Sequence, residues 1–220
     1  MVLAALGALA GCEPYVQGNG VYREELRNVR AFEGVSAQDG IQVQITAAAA
    51  QQSVKVSGDE NVVQHIVTDV QDDPQRGFPV LTVKSSIASF DSVNPVAAVI
   101  AVATLQYVAA THACTVGAAQ VASPSFEVDA DDNASVTLSG AGGASLVARL
   151  GGGQRGGAQL VATRYPVDTA TVALTGGAST ELAVRVSVTG TADGGSEVEN
   201  TGAATCTVAA TGGSTVSCTP

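Results

Sequence analysis

Cys12 has the setting for covalent chemistry. It ends the run Leu9-Ala10-Gly11-Cys12, an aliphatic residue and two small residues before a cysteine. That pattern matches the bacterial lipobox. The small residues let a peptidase reach the bond before Cys12, and the thiol then accepts a diacylglyceryl group. The preceding residues are an apolar run too short to span a bilayer, as expected of an export signal. No Lys or Arg precedes that run. Residues 1–11 are therefore expected to be a lipoprotein signal peptide, residues 12–20 a tether, and residues 21–220 a single folded domain. Two or three acyl chains, at about 0.8 kcal/mol per buried methylene, would hold such a chain on a membrane.

Other reactive groupings are weaker. Asp129, Asp131 and Asn133 could gather around Ca²⁺. An EF-hand starting at Asp129 would need Gly at 134 and Glu at 140, and the chain has Ala134 and Gly140. A solvated acidic turn is the expected reading, with no metal and no cofactor. Glu197 and Glu199 could share a strand face, as glycoside hydrolysis needs paired carboxylates. Aromatic platforms for a sugar are scarce there, with only Phe126 and Tyr165 in the second half. The two histidines, His65 and His112, lack a nucleophile-elbow context. The run Gly151-Gly152-Gly153-Gln154-Arg155-Gly156-Gly157 lacks the Gly-Lys-Ser/Thr of a phosphate loop and reads as a flexible connection. A non-enzymatic protein is expected. Of the remaining cysteines, Cys206 and Cys218 form a candidate disulfide that would staple the end of the chain. Cys114 reads as a small buried side chain.

The elements that carry these residues are strands. The chain is rich in Val, Ala, Thr, Ser and Gly, with 4% aromatics and no Trp. Glycine pairs followed by small or polar residues recur at Gly142-Gly143, Gly156-Gly157, Gly176-Gly177, Gly194-Gly195 and Gly212-Gly213, spaced 14, 20, 18 and 18 residues apart. A return at this period marks stacked supersecondary units. Short apolar clusters such as Val136-Thr137-Leu138 and Val172-Ala173-Leu174 lie between the pairs. Ile41-Gln42-Val43-Gln44-Ile45 alternates with period two, as a half-buried strand does. Residues 60–70 fit a short helix or a bent strand. Residues 71–79 form a loop, and the apolar stretch 95–110 reads as buried strands.

With ten basic residues, scattered, and a net charge of −10, the chain lacks the footprint of a nucleic-acid binder. Its partners are expected to be the membrane, through the anchor, and a glycan or protein surface.

Three sets of residues together resemble the putative auto-transporter adhesin, head GIN domain family. They are Arg27-Asn28-Val29-Arg30-Ala31-Phe32-Glu33-Gly34-Val35, the segment Val54-Lys55-Val56-Ser57-Gly58-Asp59-Glu60-Asn61, and the repeated Ser-Gly-Gly-Ser-like turns. The resemblance spans about residues 27–218. It implies an all-β, right-handed parallel β-helix-like solenoid with short Gly-rich turns between rungs, on an exported lipoprotein of the cell envelope. Thr111-His112-Ala113-Cys114 departs from the family's Ser-Gly-type turn. The expected function is adhesin-like surface binding. A β-helix carbohydrate-active enzyme and a self-assembling structural module are the alternatives.

Overall fold

The computed structural model describes residues 15–218. Cys12 and the expected signal peptide lie outside them. The first half contains β1 (Tyr15–Gln17), β2 (Tyr22–Arg27), β3 (Gly34–Ala37), β4 (Gln42–Thr46), β5 (Ser53–Asp59), α1 (Glu60–Val63), β6 (Ile66–Asp73), β7 (Phe78–Ser85), β8 (Ser89–Asp91) and β9 (Ala97–Ala101). The second half contains β10 (Tyr107–Ala110), β11 (Thr115–Val121), β12 (Ser125–Ala130), β13 (Ser135–Gly140), β14 (Gly143–Leu150), β15 (Gly152–Gly153), β16 (Gly156–Gly157), β17 (Gln159–Leu174), β18 (Ser179–Ala192), β19 (Glu197–Asn200), β20 (Thr205–Ala210) and β21 (Thr215–Cys218). The segment read as helix or bent strand is both in turn, one helical turn and then β6.

The fold is all-β. Seventeen strands join in one nearly closed, barrel-like sheet, and β1–β8 and β15–β16 form two small separate ladders. The large sheet is mixed, which corrects the expectation of a wholly parallel stack. β2–β5, β5–β9 and β6–β7 are antiparallel. The physical cause in β6–β7 is a tight turn over 74–77, where Gly77 takes φ 78° and its N–H donates to Asp73 O at 2.8 Å. A turn this short can only return the chain antiparallel. From β10 onward, every pairing within the large sheet is parallel.

Two runs of neighbours follow from the register. One is β6-β7-β3-β10-β12-β14-β17-β18-β20, and the other is β2-β5-β9-β4-β11-β13-β17-β18-β19-β21. The long strands β17 and β18 belong to both runs. Their mutual register shifts between Ala162 and Val167 and again before Thr169. Alternation along each strand sends one set of side chains inward. Val35, Val108, Val128, Ala148 and Val172 stack in a single inward row, all fully buried or nearly so. Each buried Val contributes about 1.5–3 kcal/mol relative to exposure. Phe126 and Tyr165 meet edge to face, with centroids 5.7 Å apart. The buried Tyr165 hydroxyl donates to Ser123 O at 2.8 Å.

The corners explain the glycine pairs. Two consecutive positive-φ residues occur at Asp39-Gly40, His112-Ala113, Asp132-Asn133, Gly176-Gly177, Gly194-Gly195 and Gly212-Gly213. A buried residue follows the first five: Ile41, Cys114, Ala134, Ala178 and Ser196. Its N–H closes the turn onto the carbonyl three residues back in Cys114→Thr111, Ala134→Asp131 and Ala178→Thr175, at 3.2–3.3 Å. The turn that departs from the family pattern in sequence is therefore built in the same way, with His112 and Ala113 at φ 54° and 61°. Two of the expected glycine corners are something else. Gly143 opens strand β14, and Gly152-Gly153 pairs antiparallel with Gly156-Gly157 in a small hairpin, where a flexible loop was expected.

Asp59 ties the N-terminal end together. It is fully buried and accepts from Val93 N, Asn94 N, Asn94 Nδ2 and Ser92 Oγ. Burial works against its charge, but the bonds from Asn94, Val93 and Ser92 outweigh it and hold its pKa below the usual carboxylate value. Beside it, β1 pairs parallel with β8, although residues 15–17 fall inside the segment expected as a tether. Gly18 N donates to Asp91 O at 2.7 Å, and Asn61 joins Asn19 N and Gln17 O.

Candidate functional site

The outer face of the first strand run carries an organised polar surface. Its N-terminal part is a charged clamp. Asp73 Oδ1 accepts from Gln75 N and Arg76 N, an Asx-type turn that aims Arg76 back over the sheet. The Arg76 guanidinium stacks on the Tyr107 ring, 3.8 Å from its centroid. It also bonds Asp73 Oδ2 at 2.7 Å, Asp129 Oδ2 at 2.7 Å and Glu127 Oε2 at 3.3 Å. Arg149 reaches the same two carboxylates from the next strand, at 3.0 Å to Asp129 and 3.2 Å to Glu127. The Tyr107 hydroxyl donates to Asp129 Oδ2 at 3.0 Å.

Charge and burial shape the protonation of this group. Burial first, then the Asp129 charge, pushes the Tyr107 phenol well above its ordinary value. The bond from Arg76 holds Asp73 below the usual carboxylate range, against burial. Bonds to Asp129 and Glu127 raise Arg149. Asp73, Arg76 and Arg149 are thereby held charged and Tyr107 neutral. Two grooves flank it and share Tyr107. One of about 400 Å³ runs past Ser36, Asp72, Gln75 and Thr82, and one of about 420 Å³ past Ala109, Asp129, Arg149 and Ala173.

The C-terminal part of the same face carries rows of hydroxyls. Ser125, Ser145, Thr169, Ser187 and Thr205 occupy one register position on five successive strands. Ser145 Oγ donates to Ser125 Oγ at 3.0 Å. A second row, Thr171, Thr189 and Thr207, lies two residues further along the strands and is exposed. Strand geometry spaces such rows at about 4.8 Å across strands and about 6.8 Å along them. No charged side chain stands in these two rows from Thr169 and Thr171 onward.

The residues singled out from sequence fare differently. Asp129 is taken up by two guanidiniums and a phenol, Asp131 accepts from Asp132 N, and Asn133 is a corner residue. The three do not converge. Among the described residues no group of three His, Cys, Asp or Glu side chains is placed to hold a metal. Glu197 and Glu199 do share an exposed strand face, and Glu199 stands beside Glu181. His112 Nδ1 lies 3.6 Å from Asp39 Oδ1, at the rim of a cleft of about 510 Å³. Ser85 in that cleft bonds Ile87 through its hydroxyl, and not His112. His65 is half-buried after α1. Cys114 is buried, which pushes its thiol up to about 11. Cys206 and Cys218 are joined through sulfur with Cα atoms 6.4 Å apart.

The clamp escaped sequence reading because Arg76 sits in a turn 51 residues from Glu127. The only local sign was Asp73 three residues before Arg76. The hydroxyl rows were hidden by their unequal spacing. Ser145 and Thr169 are 24 residues apart, whereas Thr169 and Ser187 are 18 apart.

With this geometry, residues 31–204 match the family model described as putative auto-transporter adhesin, head GIN domain. The chain belongs to this family. The matched segment takes in the head GIN strands β3 to β19 and leaves β1, β2, β20 and β21 outside it. Solved structures share the fold at low identity. A putative adhesin from Bacteroides fragilis NCTC 9343 aligns with a TM-score of 0.69 at 13% identity, covering 93% of this chain and 100% of that one. A putative lipid binding protein from Parabacteroides distasonis ATCC 8503 gives 0.56 at 10% identity, over 94% and 100%. A putative adhesin from Parabacteroides merdae ATCC 43184 gives 0.50 at 16%, over 95% and 100%. No functionally curated protein matches the sequence significantly.

Proposed function

We propose that this chain is a non-enzymatic, lipid-anchored protein of the bacterial cell envelope, and that it binds a repetitive surface polymer through the outer face of its first strand run. In this reading the parallel half is a β-solenoid and Cys12 is the acylated residue. The observation that carries it is the five-strand hydroxyl row with its parallel threonine row. Side chains locked to a sheet at a fixed repeat are pre-organised, so little entropy is lost when they meet a ligand of similar repeat. The uncharged rows on a chain of net charge −10 favour a neutral, hydroxyl-rich partner, a glycan chain. The adhesin description of the family and of two structural neighbours agrees with this reading.

The test is a glycan-array screen of the Cys12→Ser chain beside a Thr189→Glu variant. The expected result is binding to extended neutral glycans that the variant loses by tenfold or more, about 1.4 kcal/mol. Equal binding by both proteins would remove the face from the account, and release of shortened glycan would replace binding with hydrolysis. Palmitate labelling, with Cys12→Ser as control, tests the anchor. An unlabelled wild-type chain would end that part.

A further inference from the structure

The N-terminal strap and the exposed apolar side chains around it point to a second surface. We propose that this end of the molecule seats directly on the lipid bilayer and holds the hydroxyl rows away from it. The proposal rests on acylation of Cys12.

Tyr15 is already fixed to the domain through β1–β8, Gly18 N–Asp91 O and the Asn61 bonds to Asn19 and Gln17. Only Glu13 and Pro14 separate it from Cys12. Three residue steps span at most about 11 Å in any conformation. A lipid on Cys12 therefore keeps the strap within that distance of the headgroups, where a long free tether would have let the domain drift.

The surface brought to the bilayer carries exposed apolar side chains between paired charges. Seven large hydrophobic side chains are exposed among the described residues, and six of them belong to this end: Tyr15, Val21, Tyr22, Leu26, Val93 and Val99. Leu26 is 79% exposed and Val93 74% exposed. Val21, Tyr22 and Val93 lie around Asp59, and Leu26 and Val99 flank Lys55 further along β5. Val93 N donates to the Asp59 carboxylate, Tyr22 is the strand partner of Asp59, and Val21 O accepts from Glu60 N. Tyr22 and Leu26 point the same way along β2, and Leu26 stands across from Lys55, which pairs with Val99. Tyrosine with aliphatic neighbours suits the headgroup boundary, where one end of the ring is apolar and the other wet.

The basic side chains of this surface are paired, and Asp59 and Asp91 add negative charge beside them. Arg23, Arg27 and Lys55 are bridged to Glu24, Glu25 and Glu60. With its cations already paired, this surface makes a contact that does not depend on anionic lipid or on salt. The second strand run leads away from β2 through nine strand steps to β21, or about 43 Å at about 4.8 Å each. The last coils, with Thr205 and Thr207, stand at the far end.

The natural sequence has no tryptophan, so one introduced indole reports alone. The lipidated full chain carrying Tyr22→Trp, Leu26→Trp or Thr207→Trp is reconstituted in phosphatidylcholine vesicles with plain or brominated acyl chains. Flotation shows whether the protein is anchored. Brominated lipid is expected to lower emission about twofold for Tyr22→Trp and Leu26→Trp, the shallow depth of an interfacial contact, and to leave Thr207→Trp unchanged. High salt should not alter this. Adding Val93→Asp to Tyr22→Trp should abolish the quenching while flotation persists, and circular dichroism checks that each variant is folded. Floating protein with no quenching at either N-terminal position overturns the seating and leaves the anchor standing. Protein that does not float overturns the anchor and the seating with it.

Discussion

Up to about residue 104 the strands change direction and side chains pin the connections between them; from residue 107 onward the strands of the large sheet all pair in parallel and short left-handed corners join many of them. In the first part Asp59 gathers four donors, Asn61 ties two loop segments, and antiparallel hairpins change the direction of the sheet. In the second part the strands stack in parallel, and the corners at 112–113, 132–133, 176–177 and 194–195 are pairs of left-handed residues followed by a small buried side chain. The connections of the first part need specific polar partners because their backbone groups lie outside the ladders. A repeating end needs only the same turn again, which glycine supplies most cheaply. The contrast separates two tasks: the irregular end closes the stack, and the regular part extends it.

The largest expected effect breaks the irregular end. Asp59→Ala removes the buried acceptor of four hydrogen bonds from Ser92, Val93 and Asn94 and should lower Tm by about 10 °C. Differential scanning calorimetry measures it. Because the folded pKa of Asp59 is depressed, its contribution is fully present above its unfolded value, near 4. It is lost as pH falls through the lower folded value. Wild-type stability should therefore drop below about pH 4, and Asp59→Asn should flatten that part of the profile. A variant with the wild-type acid limb would show that Asp59 does not close this end.

Opening the other end comes next. Reducing Cys206–Cys218, a separation of 12 residues, should cost about 3 kcal/mol. Hydrogen exchange should localise the loosening to β19, β20 and β21. Uniform loosening would mean that the two parts unfold as one unit. Arg76→Ala removes the stack on Tyr107 and three ion pairs, at about 2 kcal/mol in urea unfolding. Its exchange signature should stay within residues 73–78 and β10.

The smallest effects sharpen the corner argument, and they have opposite signs. A side chain at Gly177 meets open space, so only its φ of 78° opposes substitution. Gly177→Val should cost about 1–2 kcal/mol. Ala113 already pays that strain at φ 61°, so Ala113→Gly should be neutral to stabilising by up to about 1 kcal/mol. Matched urea melts decide it. Destabilisation by both would mean that contacts, and not φ, govern the corners.

Much of this was legible from residue types. Ile41-Gln42-Val43-Gln44-Ile45 alternates in the structure as it does in the sequence, and the glycine pairs at 176, 194 and 212 are corners. Asp132-Asn133 and His112-Ala113 form the same corner without glycine, because Asn and Asp tolerate left-handed φ and the stack forces Ala113 into it. Antiparallel pairing of β2 with β5 could not be read locally, since nothing in either strand names its partner. The hydroxyl rows needed the register. The hairpin β15–β16 and the changing coil length shift each threonine against a constant period.

The central claim is binding by repetition, and ligand length tests it most directly. Affinity of the Cys12→Ser chain is measured by calorimetry for a series of oligosaccharides of one glycan found on the array. The five-member row spans about 19 Å, four steps of about 4.8 Å. Affinity should climb with each added sugar until the oligomer fills that length and then level off. A mono- or disaccharide that binds as tightly as the longest oligomer would contradict the account and point to a single local pocket.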